Sequence, residues 1–416
     1  MTQKLSKTLT TFRGTAILLN IVIGAGLLTL PGLAIKEAGP NAFYAWIICA
    51  IVAAPLLFIF ILLGRLYPNA GGIAFYAQRA LGSFGRRCAA FLLLGAIIFG
   101  LPSIALTRGH YLASVVPGSP FFYAVVLLIG STLPHFIAGD GAGRAMSILA
   151  SGVLVSVIIF LVIGYFGIGS TNASGVADTI DWRAALTPFG LIFFAFTGWE
   201  IGAGIAEEFI NPHRDFPRAM ALSFLIVTVL YLAVAYVAAY TDIVGHWEAP
   251  FVSFVQPALG QNGAIMVALI AAIIVFANLS GALWGVSRLV YSLARDFILP
   301  AALAKTTGGK PLRAVSLTAS VLILVLILYR FELFSLEAMI DVAGQNFLIL
   351  YGLAALSLYI LTDNTLFRLL AGSVMAIVVG ILSIQGIKLL YPIGLVALAI
   401  LTNLYASSLR EITKEN

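Results

Sequence analysis

Residues 188–220 read PFGLIFFAFTGWEIGAGIAEEFINPHRDFPRAM. The run starts as an apolar helix and meets Phe196-Thr197-Gly198-Trp199-Glu200 near its middle, where a lipid-facing helix would carry leucine. A charge at bilayer depth costs at least about 2.5–3.5 kcal/mol on insertion scales, so Glu200 is expected to face a cavity or a partner. Glycine lets the backbone leave helical angles, and open backbone at that depth survives only where it lines a cavity or is buried in protein. A kinked packing helix with a neutral, buried glutamic acid would use the same residues. What weighs against it is a second interruption of the same kind near the start of the chain.

That second stretch, residues 11–35, is TFRGTAILLNIVIGAGLLTLPGLAI, with Gly24-Ala25-Gly26 part-way through and Pro31-Gly32 beyond it. Two glycines around an alanine can unwind a turn between strong helix formers. Unwinding frees N–H groups at the start of the following half-helix and carbonyls at the end of the preceding one. Half-helix N-termini favour carboxylates, and freed carbonyls accept from an ammonium. A close-packing face of small residues is the competing reading of the same motif.

Around these two runs the chain is 61% hydrophobic and 10% charged over 416 residues, against about 25% charged in soluble domains, so it is read as a polytopic membrane protein. At about 20 apolar residues per crossing, twelve spans follow: 13–35, 42–64, 87–115, 120–137, 144–168, 187–206, 219–240, 262–296, 313–330, 337–361, 365–384 and 389–409. The eighth is long enough to include a short lead-in helix outside the membrane, and the largest loops are 65–86, 169–186, 241–261 and 297–312. Of the 23 Lys and Arg, only Lys36, Arg108, Arg183, Arg330 and Lys388 fall on the side opposite the N-terminus. The other eighteen put both termini in the cytoplasm. The net charge of +6 therefore orients helices and does not signal nucleic acid. No cleaved leader is expected, and Cys49 and Cys88 read as free buried thiols. The four histidines are scattered, and no metal-ligand spacing or nucleophile elbow accompanies them, so an enzyme and a metal or cofactor are not expected.

The first span enters from the inside and the sixth, five spans later, from the outside. Interrupted helices at corresponding places in opposite-facing halves point to an inverted repeat with a midplane site. The units are 13–168 and 187–361, with 365–409 appended, in one membrane domain covering 1–416.

At these residues the chain resembles the amino acid–polyamine–organocation (APC) transporters. The matching motifs are IVIGAGLLTLPG at 21–32, Phe194, Gly198 and Glu200 in the sixth span, and Glu208, Asn211-Pro212 and Pro217-Arg218-Ala219 after it. Tyr67-Pro68-Asn69-Ala70-Gly71-Gly72 follows the second span, and Arg295-Asp296 precedes Pro300. The resemblance covers the first ten spans and implies an all-α, leucine-transporter-like 5+5 inverted repeat plus two C-terminal helices. Arg65 in LGRLYPNAGG and the Arg214–Ala219 run make the chain most similar to the bacterial methionine/branched-chain amino acid exporter group. One departure matters: some sodium-independent members carry a lysine midway along the fifth span, and SILASGVLVSVIIF at 147–160 has none. That coupling mechanism is not carried over. The helix-8 aromatic of arginine-type antiporters is also missing unless a two-residue slip brings Trp284 to the place held by Ala282.

The expected function is secondary transport of neutral, mainly hydrophobic amino acids in a bacterial inner membrane, by alternating access and with export or proton coupling open. The same superfamily offers basic amino acid or polyamine transport as the alternative. A channel or a non-transporting subunit is the reading from another class. Backbone N–H groups around Gly24, Ala25, Gly26 and Leu27 would hold the substrate carboxylate. Carbonyls near Ile23, Ala195 and Phe196 would take its ammonium, and Phe194 would close over the side chain beside Gly198. Glu200 either takes a proton, since desolvation disfavours its charged form, or ties its helix to a neighbour. Glu207 and Glu208, with Arg214 and Arg218, read as a solvated loop or as a cytoplasmic latch. Arg108 lies about 21 residues beyond Arg87, roughly 30 Å up the third span. It is read either as a gate pair with Asp341 above the substrate or as a separate charge reaching the headgroups.

Overall fold

Lipid cannot hydrogen-bond a backbone, so each apolar run must satisfy its own N–H and C=O groups, and among the described residues it does so as helix. The computed structural model describes residues 7, 9–23, 25–69, 71–137, 155–168, 175–243, 245–295, 298–307, 310–383 and 389–415. The helices are α1 (Thr11–Val22), α2 (Ala25–Ala38), α3 (Ala42–Leu66), α4 (Gly72–Ala113), α5 (Pro120–Thr132) and α6 (Pro134–Ile137). Next come α7 (Val155–Phe166), α8 (Trp182–Leu186), α9 (Phe189–Ala195), α10 (Trp199–Gly202) and α11 (Pro212–Ala239). The chain ends with α12 (Pro250–Arg295), α13 (Leu312–Arg330), α14 (Leu336–Leu361), α15 (Thr365–Ser383) and α16 (Leu390–Glu415). Among the described residues, eight helical stretches are long and apolar enough to cross a membrane, and Pro120–Phe136, Val155–Phe166 and Leu390–Tyr405 are shorter apolar helices. The chain is an all-helical, multi-pass membrane protein. Of the fifth expected span, 144–154 lies outside the described residues.

Two stretches expected as loops are not loops. Helix α4 starts at Gly72, inside 65–86, and α12 starts at Pro250, inside 241–261. Each begins with a lead-in about ten residues long and turns sharply at a glycine. Gly82 has φ 67°, ψ −152°, and Gly260 has φ 59°, ψ −153°. Only glycine adopts these angles without a Cβ penalty. The spacing between Gly82 and Gly260 is nearly that between the helix ends at Val22 and Ala195. The second half thus repeats the element order of the first: a broken span, an uninterrupted one, then a long helix with a kinked lead-in.

Helix α4 packs along α14, α11 packs against α3 and α1, and the broken spans lie within this frame. Phe58, Leu225, Val229, Leu366, Leu369 and Leu401 are exposed. On a soluble protein so many large apolar side chains would be a liability; in a bilayer they face acyl chains. Cys49 and Cys88 are free and buried.

Candidate functional site

The first span stops at Val22, and Ile23 (φ −73°, ψ 75°) caps it with its N–H on the Leu19 carbonyl at 2.8 Å. Helix α2 resumes at Ala25; Gly24 and the side chain of Ala25 lie outside the described residues. The sixth span stops at Ala195, with Phe196 (φ −90°, ψ 16°) as its cap, and α10 resumes after Gly198 at φ 109°. The Thr197 hydroxyl donates to the Phe194 carbonyl at 2.7 Å, covering one group the break exposes.

The breaks lie against each other. A Cβ on Gly198 would sit 3.4 Å from Val22 Cγ2, and one on Gly26 would sit 2.7 Å from Cα and Cβ of Ala195. Ile23, Leu27, Ala195 and Phe196 are buried. Gly26 is therefore a close-approach glycine, and the small-residue packing reading of this motif describes its contact with Ala195. The first-turn N–H groups of α2 nevertheless start at this crossing without a preceding helical turn.

Glu200 turns back on its own helix start. Its Oε1 and Oε2 accept from the Gly198 N–H at 3.1 and 3.0 Å, and the Tyr351 hydroxyl donates to Oε2 at 2.8 Å. A carboxylate at a helix N-terminus meets both free N–H groups and the positive end of the dipole. Tyr351 is held edge-on by Phe60 at 4.8 Å and Phe193 at 5.9 Å. Glu200, 2% exposed, thus joins α10 to α14.

Phe194 points its ring at α4 and α14. It comes within 3.4 Å of where a Cβ on Gly100 would stand, and its centroid is 6.3 Å from that of Phe347. Ala343 closes the same corner. Two residues were missed in the sequence reading. One is Tyr351. The other is Tyr231 on α11, whose hydroxyl reaches the Ala195 carbonyl at 2.9 Å and the Val22 carbonyl at 3.2 Å. The signal was available: a tyrosine at mid-span depth must find a hydrogen-bond partner.

The crossing is tied at both faces. On the N-terminal face, the Leu9 N–H donates to the Glu208 carbonyl at 3.0 Å and the Ile210 N–H to the Leu9 carbonyl at 2.9 Å. The Thr11 hydroxyl adds a bond to Asp215 at 3.1 Å. Glu208 is thus engaged through its main chain, beside a cavity of about 650 Å³ lined by Lys7, Glu207, Asn211, His213 and Arg214. On the opposite face, Lys36 at the end of α2 pairs with Glu337 of α14 at 3.0 Å and with Glu248 at 3.9 Å. Tyr111 donates to the Leu28 carbonyl at 2.5 Å and Thr29 to the Glu248 carbonyl at 3.1 Å.

Arg108 is fully buried on α4, and Asp341 is half-buried on α14, where the Gln345 amide donates to it at 3.4 Å. Because α4 and α14 pack along each other, a gate pairing of these charges has a definite test. Arg108→Asp and Asp341→Arg are each expected to transport poorly, and the double swap to recover a substantial part of the rate in proteoliposomes. A double variant no better than the worse single one would reject the pairing.

Residues 9–407 match the amino acid permease family model. The chain is 29% identical over 414 residues to the uncharacterised amino acid permease YecA of Bacillus subtilis, covering 95% of each. It is 28% identical to the L-methionine/branched-chain amino acid exporter YjeH of Escherichia coli, over 92% of this chain and 93% of that one. With the B. subtilis glutamate/serine transporter AimA it shares 26% identity, over 79% of this chain and 67% of the other. A helical, multi-pass chain with two apposed helix breaks, matched along nearly its whole length, belongs to the amino acid permease family.

Proposed function

We propose that this permease moves neutral, mainly hydrophobic amino acids of the methionine and branched-chain type by alternating access, with the crossing of the broken spans as its substrate site. In this reading the N–H groups around Gly24 and those of the first turn of α2, Ala25 to Leu27, hold the carboxylate. The carbonyls near Ile23 and at Ala195–Phe196 hold the ammonium, and Phe194 covers the side chain. One observation carries the substrate class. The corner under Phe194 is built from Gly100, Ala343 and Phe347, while the nearby carboxylate, Glu200, is already committed to Gly198 and Tyr351. An acid held in this way offers no free charge to select a cationic side chain. The similarity to YjeH supports the same class and favours export.

The N-terminal face, which carries most of the Lys and Arg, is the cytoplasmic one in this proposal, and the membrane is a bacterial inner membrane. The units 13–168 and 187–361 are the inverted halves, a division supported by the paired breaks and paired glycine kinks. Closure at both faces, through Lys36–Glu337 and Leu9–Glu208, suits an occluded step of the cycle. Protonation of Glu200 is the proposed coupling event.

Competition binding on the purified protein tests the substrate class. Methionine and leucine are expected to displace radiolabelled leucine, and arginine and putrescine to leave it bound. Displacement by arginine or putrescine at the concentration at which leucine displaces would favour the basic amino acid or polyamine reading.

A further inference from the structure

We infer that Tyr231 is a positioning residue for the substrate ammonium, its one hydroxyl fixing the two end carbonyls between which a primary amine binds. The inference rests on the crossing being the substrate site and adds to it a residue from a third element, α11. In a continuous helix the carbonyls of Val22 and Ala195 would accept from the N–H groups of Gly26 and Trp199, four residues on. The two breaks remove that arrangement. Two helix C-termini, each with partial negative charge, then meet at one point and repel unless a donor stands between them.

Tyr231 supplies the donor. Its hydroxyl lies 2.9 Å from the Ala195 carbonyl and 3.2 Å from the Val22 carbonyl. One proton cannot saturate two carbonyls with two lone pairs each, so both keep acceptor capacity. The ring is fully buried and held edge-on by Trp46 at 5.4 Å and Phe196 at 5.2 Å, which stops the hydroxyl from swinging away. The carbonyls are thus held at a fixed separation with capacity to spare, and an ammonium, with three donors and a positive charge, is the group that fits them.

A purely structural tyrosine would behave differently from a positioning one. The probes are leucine and 2-hydroxyisocaproate, which share carboxylate and side chain but differ in ammonium against hydroxyl. Calorimetric titration of the purified wild type is expected to show clear preference for leucine. Tyr231→Phe keeps the ring contacts, so its melting temperature should stay near wild type. Its leucine affinity should fall about tenfold, with that of the hydroxy acid unchanged. Tyr231→4-aminophenylalanine restores a donor at the same place, and with it the preference. An unchanged leucine-to-hydroxy-acid ratio in Tyr231→Phe, or an equal loss for both ligands, overturns the inference. Should Tyr231→Phe not fold, the 4-aminophenylalanine variant decides alone. Its two N–H groups serve both carbonyls, so a ratio clearly below wild type overturns the inference. A wild type that binds both probes equally well marks a failure of the site reading itself, a distinct result.

Discussion

Replacing Gly26 by valine is expected to abolish leucine binding, a loss on the order of 100-fold or more in affinity. The cause is a main-chain collision, because even a lone Cβ would stand 2.7 Å from the Cα of Ala195. Backbone atoms of a buried helix end cannot rotate aside as a side-chain tip can, so α2 must lift from α9 and the two breaks separate. Gly26→Ala should show the same effect at reduced size, and both variants should melt at lower temperature, since overpacking costs typically 1–3 kcal/mol. Calorimetric titration alongside thermal unfolding checks this. Valine at 26 with wild-type affinity would mean that the contact of α2 with α9 is not part of the substrate site.

Glu200→Ala is expected to reduce transport to a few per cent of wild type or less. It strips the partner from the Gly198 N–H and from the Tyr351 hydroxyl at once, and each buried polar group left unpaired costs about 1–3 kcal/mol. Tyr351→Phe removes one of these bonds, and the two changes should be strongly non-additive because they share the interaction. Glu200→Gln separates the two roles of this residue. The amide keeps an acceptor for Gly198 but cannot exchange a proton in the physiological range. If Glu200 couples transport to protons, proteoliposome flux in Glu200→Gln loses its dependence on pH. A pH profile identical to wild type would leave Glu200 as the tie between α10 and α14 alone.

The two breaks were legible because a glycine pair or a carboxylate inside an apolar run has few explanations at bilayer depth. The long apolar helices among the described residues were legible for the same reason, since apolar length is what a bilayer demands. Of the lead-in helices before Gly82 and Gly260, only one was expected, at the eighth span, and it was placed inside 262–296 and not before Gly260. They are too short to span, and residues such as Arg79 and Pro257 look like loop chemistry until the kinked helix is seen. Nor does a sequence say which groups meet: Gly26 reads equally as a binding turn and a packing contact, and the Ala195 contact makes it the second at least. Tyr231 and Tyr351 were passed over because a tyrosine among valines and leucines resembles any core aromatic. Their importance lies in hydroxyls that reach across from α11 and α14, and that is a property of tertiary packing.

Photo-crosslinking tests the central claim most directly. Photo-leucine, which carries a diazirine on a leucine-like side chain, would be irradiated with the purified wild-type protein, and the labelled peptides identified by mass spectrometry. Labelling is expected in the peptides containing Gly100, Phe194 and Ala343–Phe347, and excess leucine should suppress it. Leucine-sensitive labelling confined to the cavity around Lys7 and Arg214, with none beside Phe194, would contradict the placement of the substrate at the crossing of the broken helices.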